Sequence, residues 1–166
     1  MKVYHGEIEI QGDMLRPTHE DITERVKQCV ADSGVKNGIC VVYSHHTTCS
    51  VITQENSHDT NLWGTEYLQQ DLIDIMERLV PTCRTEGQYM HPGPRHLEFA
   101  ANVAGEDGKF SLNTDAHLRS VFFGRSETIT INDGDLSLGE FGYVYFIDWD
   151  QVRARKRVCE VQILGE

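Results

Sequence analysis

The sequence predicts an α+β domain with a mainly antiparallel sheet, and three observations carry that expectation. Segments patterned as strands outnumber those patterned as helices. The strands of the C-terminal third are joined by short turns rather than crossover helices. The chain has 166 residues, 39% apolar and 25% charged, which suits one globular domain spanning 1–166 with a sizeable core.

Val3 to Gln11 alternates apolar and polar residues, as a half-buried strand does. Thr18 is placed to cap a helix running to about Ser33, with Asp21 at the capping-box position and Gly34 as its stop. Ile22, Val26, Cys29 and Val30 form the apolar stripe of that helix. Gly38–Ser44 reads as a buried strand, and Thr48–Gln54 continues as a strand directly or after a bend. Leu68, Leu72, Ile75, Met76 and Leu79 recur at helical spacing, predicting a helix from near Ser57 to Val80 that Pro81 ends. Residues 83–112, with Gly87, Pro92, Gly93, Pro94, Gly105 and Gly108, read mostly as loop, and a loop that long is often functional. Asp115–Phe123 predicts a short helix ending at Gly124. Glu127–Asn132 and Tyr143–Asp148 alternate as strands, with an Asp133-Gly134 turn between them and a short strand at Ser137-Leu138; Arg157–Leu164 closes the sheet.

The formal net charge of -11 argues against nucleic acid or an anionic membrane as a partner, since both reward a basic face, while leaving room for a local basic patch that binds a phosphate. The five cysteines (Cys29, Cys40, Cys49, Cys83, Cys159) are scattered and include no C-x-x-C pair, which points to reduced thiols and a cytoplasmic protein. The N-terminus lacks the apolar core of a signal peptide, and no apolar run approaches membrane-spanning length.

Chemistry-bearing residues gather in SHHTTCSVITQEN, residues 44–56. His46 can bind a divalent metal or shuttle a proton, or be an ordinary hydrogen-bonded surface histidine; on an extended strand His45 would face the other way. His91 and His96 lie in the long loop and His117 in the short helix, so a three-histidine site would draw its ligands from separate elements. Glu55, Asn56 and Asp59 fit either helix capping or a carboxylate group projected into a pocket. Ser120, Gly124, Arg125 and Ser126 could bind phosphate oxygens, or simply end a helix. Asp148 and Asp150 read as edge-strand charges without a role.

Taken together, these residues resemble the YjbQ-like family, known as secondary thiamine-phosphate synthases. His45 to Asn56, followed by Asp59, is similar to a family signature of the form Q-H-T-S-A-x-L-T-x-N-E-N with a later acid. Asp115 to Ser126 resembles its H-x-x-x-x-x-LLG-x-S segment, and Ile163-Leu164-Gly165-Glu166 its C-terminus. The chain departs from the family at His45, at Cys49, and at Leu138–Gly142, where many members carry Gly-Thr-Trp-Gln-Gly.

The resemblance implies a sheet curled into a sandwich with flanking helices, assembled as a homotrimer. It implies a divalent metal, zinc by preference, held by His46, His91 and His117, with His96 as an alternative to His91. Glu55, Asp59 and Arg125 would be catalytic, and Asn56, Ser120, Gly124 and Arg125 would bind a small phosphorylated metabolite. The implied reaction joins an aminopyrimidine methyl diphosphate to a thiazole phosphate and releases pyrophosphate. A metal-dependent hydrolase of a small phosphorylated or cyclic metabolite is the alternative, as is a non-catalytic trimeric metabolite-binding protein.

Overall fold

A computed structural model describes all 166 residues, apart from the side chain of Ala104. In chain order it contains β1 (Lys2–Gln11), β2 (Thr18–Asp21), α1 (Thr23–Ser33), β3 (Gly38–Tyr43), β4 (Cys49–Glu55) and α2 (Tyr67–Leu79). There follow α3 (Pro94–Phe99), a π-helical turn (Ala100–Ala104), a 3-10 turn (Gly108–Ser111), α4 (Thr114–Phe123), β5 (Ser126–Asn132), β6 (Asp135–Leu136), β7 (Gly142–Asp148) and β8 (Lys156–Gly165). The strands form two antiparallel sheets, one of five strands in the order β1-β8-β3-β5-β6 and one of three in the order β2-β7-β4.

The sheets face each other over a shared core. Ile8, Ile10, Cys40, Val42, Ile129, Ile131, Cys159, Val161 and Ile163 meet Cys49, Val51, Val144 and Phe146 there, and the stripe of Ile22, Val26 and Val30 extends it. Alternation in β1 and β8 follows from having one face on this core. β7 is different, being buried from Val144 to Asp148 without alternation. As the middle strand of the small sheet it packs Val144 and Phe146 on the sandwich core, and Tyr145 and Ile147 on a second core with Trp149, Met76, Val80, Leu72 and Ala116 from α2, α4 and the chain following β7.

Three local expectations are corrected. Thr18 does not cap α1: Thr18–Asp21 is an edge strand paired with β7, and the helix begins at Thr23, whose N–H and hydroxyl both donate to Asp21 Oδ1. Gly34 ends α1 as expected, in the left-handed conformation (φ 62°) that favours glycine. α2 begins at Tyr67, ten residues later than predicted; residues 57–66 lack the apolar spacing, and they form a loop closed by Glu66, which accepts from Asn56 Nδ2, Ser57 N and Tyr145 Oη. The Asp133-Gly134 turn joins β5 to β6, which lies at Asp135–Leu136 rather than at Ser137-Leu138, and β5 and β7 belong to different sheets.

No helix is long and apolar enough to cross a membrane. All five cysteines are buried free thiols, and burial pushes Cys40 and Cys159 up to about 12.

His19 on β2 has both ring nitrogens sealed from solvent without a hydrogen-bond partner and packs edge-on against Trp149, ring centres 5.4 Å apart. Burial pushes its pKa down to about 4, opposed slightly by the nearby Gln69 amide. It therefore stays neutral in the fold while the unfolded chain takes up a proton near pH 6.5, so its contribution is complete above that pH and is lost as pH falls toward 4. Chemical denaturation of wild type and His19→Gln across pH 4–7 should show wild type losing about 3 kcal/mol more than the variant.

Candidate functional site

The candidate site is a cleft of about 330 Å³ at one end of the sandwich. Three segments wall it: the β3–β4 connection with His45, His46, Thr47 and Thr48; the long loop and the start of α4, with His96, Glu106, Phe110, Ser111, Asn113 and His117; and the approach to β8, with Arg153, Arg155 and Arg157.

Its floor is ionic. Arg157 is 3% exposed and grips Asp148 with two hydrogen bonds, Nε to Oδ2 at 2.6 Å and Nη2 to Oδ1 at 3.1 Å. Nη2 also reaches Thr48 Oγ1 at 3.1 Å and Asp150 Oδ2 at 3.4 Å, while Asp148 Oδ1 accepts from the Asp150 N–H. Burial holds the Asp150 carboxyl above the usual range. The two aspartates are thus not edge-strand charges but the buried counter-ions of Arg157.

The connection 44–48 is not extended. The Cys49 N–H bonds back to the His46 carbonyl at 3.2 Å, so the alternation expected of a strand fails and the His45 and His46 rings lie 4.2 Å apart instead of on opposite faces. His45 Nδ1 pairs with Glu160 at 2.8 Å. His46 Nε2 accepts the Val158 N–H at 3.0 Å, so in the neutral ring the remaining proton sits on Nδ1 and neither nitrogen offers a free lone pair. Burial, then His45, keeps His46 below the usual histidine pKa.

His91, His96 and His117 form a separate group. Ring centres are 4.5 Å apart for His91–His96 and 5.8 Å for His91–His117. The Thr114 hydroxyl donates its one proton to the His91 carbonyl at 2.7 Å, so its oxygen must accept from His91 Nδ1–H at 3.0 Å. That fixes the tautomer and frees the Nε2 lone pair. Burial lowers the pKa of His91, helped by His96 and His117, and burial likewise lowers that of His117 against the opposing Thr47 carbonyl. Both are therefore neutral near pH 7, the form that ligates metals.

Three imidazoles bound at 2.0–2.1 Å around a tetrahedral ion would have ring centres about 5 Å apart. The donor chemistry and ring grouping of His91, His96 and His117 fit such an ion. As the side chains stand, though, no three His, Cys, Asp or Glu groups among the described residues are arranged to hold one. His96 rides on the exposed six-residue α3 and would need to move.

The other residues expected at a site divide. Ser120, Gly124 and Arg125 do join His117 and Thr47, in a second recess of about 240 Å³ on the other side of His117. The Ser120 hydroxyl, however, is buried and donates to the Cys49 carbonyl at 2.6 Å. Gly124 (φ 78°) borders open space, and the Arg125 guanidinium lies 6.0 Å above the Tyr43 ring. Glu55 ends β4 about 20 Å from the cleft at the usual strand rise, and Asn56 and Asp59 follow it and hold the loop before α2.

Glu106, Arg153, Arg155 and Arg157 escaped the sequence reading. The signal was present in Arg153-Ala154-Arg155-Lys156-Arg157, where alternation along an extended segment sends three arginines to one face.

Fold and cleft define an α+β sandwich protein with a histidine- and arginine-lined pocket. The chain belongs to the YjbQ-like UPF0047 protein family, whose model matches residues 7–166. It is 28% identical to a UPF0047 protein of Archaeoglobus fulgidus over 84% of this chain and 87% of the relative, and 30% identical to one of Synechocystis over 98% and 92%. Among solved structures it is similar to a YbjQ-like protein of unknown function from Sulfolobus solfataricus P2 (TM-score 0.72, 25% identity, 99% of both chains). A yjbq/upf0047 family protein from Clostridium acetobutylicum is similar too (TM-score 0.68, 25% identity, 95% of this chain and 99% of that one).

Asp148→Asn removes the charge that compensates the buried Arg157. Equilibrium denaturation should show a loss of about 3–5 kcal/mol, against less than about 1 kcal/mol for Asp135→Asn on the exposed β5–β6 hairpin.

Proposed function

We propose that this chain is a thiamine-phosphate-synthase-like transferase, joining an aminopyrimidine methyl diphosphate to a thiazole phosphate with release of pyrophosphate. The observation that supports this reading is the meeting, at one cleft, of neutral imidazoles with arginines placed to receive phosphate oxygens. Arg153 and Arg155 would draw the diphosphate in and balance the charge that gathers on departing pyrophosphate. Thr47 and Ser111 would supply hydroxyls to orient it. Arg125, in the adjoining recess, would guide the phosphate of the second substrate past Gly124, where the backbone is open to approach. A divalent metal, zinc by the softness of imidazole donors, would be held by His91, His96 and His117 and would supply Lewis-acid stabilisation of the same charge. His46 has no place in that set, because its Nε2 is committed to Val158.

One observation favours hydrolysis of a small phosphorylated or cyclic metabolite as the second reading. Phe110, which lines the cleft, carries Arg153 over its ring at 4.8 Å and Lys109 at 5.0 Å, so its π surface is already engaged and cannot freely stack a pyrimidine. The homotrimer goes with the transferase and with the non-catalytic binding protein alike. Leu118, Val121 and Phe122 leave an exposed apolar strip on α4, the helix that carries His117, which a second copy would cover. The five free thiols support a cytoplasmic setting.

Protein purified without added metal, analysed for metal and then supplied with both thiamine precursors, is expected to contain zinc and to form the coupled product. Phosphate release without coupling would favour the hydrolase; saturable binding without turnover would favour a non-catalytic binding protein. In zinc titrations, His91→Ala and His117→Ala should abolish binding, and Thr114→Val should weaken it about 10–100-fold by freeing the His91 ring. His46→Ala should retain zinc, and its loss there would overturn the choice of His96 over His46.

A further inference from the structure

The approach to β8 and the loop before α4 meet in an ionic contact at the cleft wall. Glu106 inserts its carboxylate between two guanidiniums, with Oε1 2.6 Å from Arg153 Nη2 and 3.8 Å from Arg155 Nη2. All three side chains are largely sheltered, at 29%, 22% and 33% exposure, and all three line the cleft with Thr47, Thr48 and Ser111. Arg153 lies over Phe110, its Cζ 4.8 Å from the ring centre, and this contact helps to position its planar fork. With Glu106 in place the Arg153 Nε–H is nevertheless buried without any acceptor.

Across the cleft three arginines meet three carboxylates, but the carboxylates are unevenly shared. Arg157 already has Asp148 and Asp150 as counter-ions, so Arg153 and Arg155 share the single carboxylate of Glu106. Two positive charges facing one negative, with one N–H unsatisfied, match an occupant bearing two negative charges and more acceptor oxygens than a carboxylate. A phosphate monoester dianion has both properties.

We propose that Arg153 and Arg155 form a phosphate subsite that Glu106 occupies as an internal stand-in, so that a phosphorylated ligand binds by displacing the Glu106 carboxylate. Glu106 sits between Gly105 (φ 61°) and Asp107, outside α4, so displacement of its carboxylate needs only a change of side-chain rotamer. The device sets a threshold: a weak monoanion does not compete with the tethered carboxylate, whereas a dianion that also reaches the Arg153 Nε–H does.

The inference rests on the proposed function and deepens it by making Glu106 the competitor that a phosphate must displace from Arg153 and Arg155. Its test uses neither metal nor organic substrate, so either can fail without the other. Inorganic phosphate is titrated calorimetrically into the chelator-treated full chain at pH 7.5 and low salt. Glu106→Gln keeps the side chain's shape but removes the competing charge, and should bind phosphate about tenfold more tightly than wild type. Arg153→Gln and Arg155→Gln should each weaken binding about tenfold or more, and sulfate should compete where chloride does not. Unchanged or weaker phosphate binding in Glu106→Gln, with an unaltered circular dichroism spectrum, overturns the proposal and leaves the ion pair a structural clasp. Should Glu106→Gln not fold, Glu106→Asp, which cannot span both guanidiniums, must show the same direction of change, and its failure to do so is equally decisive.

Discussion

The ion pair between Arg157 and Asp148 is the interaction on which the rest of the molecule's architecture turns. Arg157 belongs to the five-stranded sheet and Asp148 to the three-stranded one, so the pair joins the two layers at the end where the cleft opens. A buried guanidinium is costly unless each donor finds an acceptor, and here Asp148, Asp150 and Thr48 supply them from three points of the chain. The requirement propagates outward. Thr48 must sit under the cleft, which bends residues 44–48 and turns both His45 and His46 toward it. The chain after β7 must fold back at Asp150 so that its second carboxylate arrives, and this carries Arg153 and Arg155 onto the same wall.

That arrangement explains why a protein with net charge -11 holds a basic pocket. The acidic excess is distributed over the surface, while the cleft gathers arginines whose charges are met by carboxylates fixed within the fold. Burial keeps His46 and His117 below the usual histidine pKa, with smaller contributions from the neighbouring histidines and Arg157 and against the opposing pull of Asp148 and Asp150. Neutral imidazoles and charged guanidiniums can therefore coexist in one pocket.

Much of the frame could be read from residue patterns. β1, β3 and β8 have one face on the core and show it by alternation, and Gly34 marks the end of α1 by the left-handed turn it permits. β7 hid its importance because a strand buried on both faces does not alternate in burial, so Asp148 passed for an edge charge when it is the most enclosed carboxylate of the site. The histidines show where local reading stops. His46 was the strongest single candidate, yet its chemistry is decided by a backbone amide 112 residues away. His96 was the weaker candidate of the loop, and it is the ring that stacks closest to His91. Neither contact has any expression in spacing along the chain.

The motif His45–Asn56 sharpens the same lesson, because its two ends are not one site within this chain. A seven-residue strand separates them, and β4 is held straight by an unbroken antiparallel ladder with β7 from Cys49 to Glu55. No side-chain rotation closes a gap of about 20 Å. The histidine end serves the cleft, while the acid and amide end anchors the Asn56–Glu66 loop on Tyr145. What binds the two ends together is β4 itself: its register with β7 sets Cys49 opposite Asp148, and that pairing positions Thr48 against Arg157 at one end as surely as it places Glu55 opposite Gly142 at the other. A sequence motif can thus report a strand whose register sets what each of its ends touches.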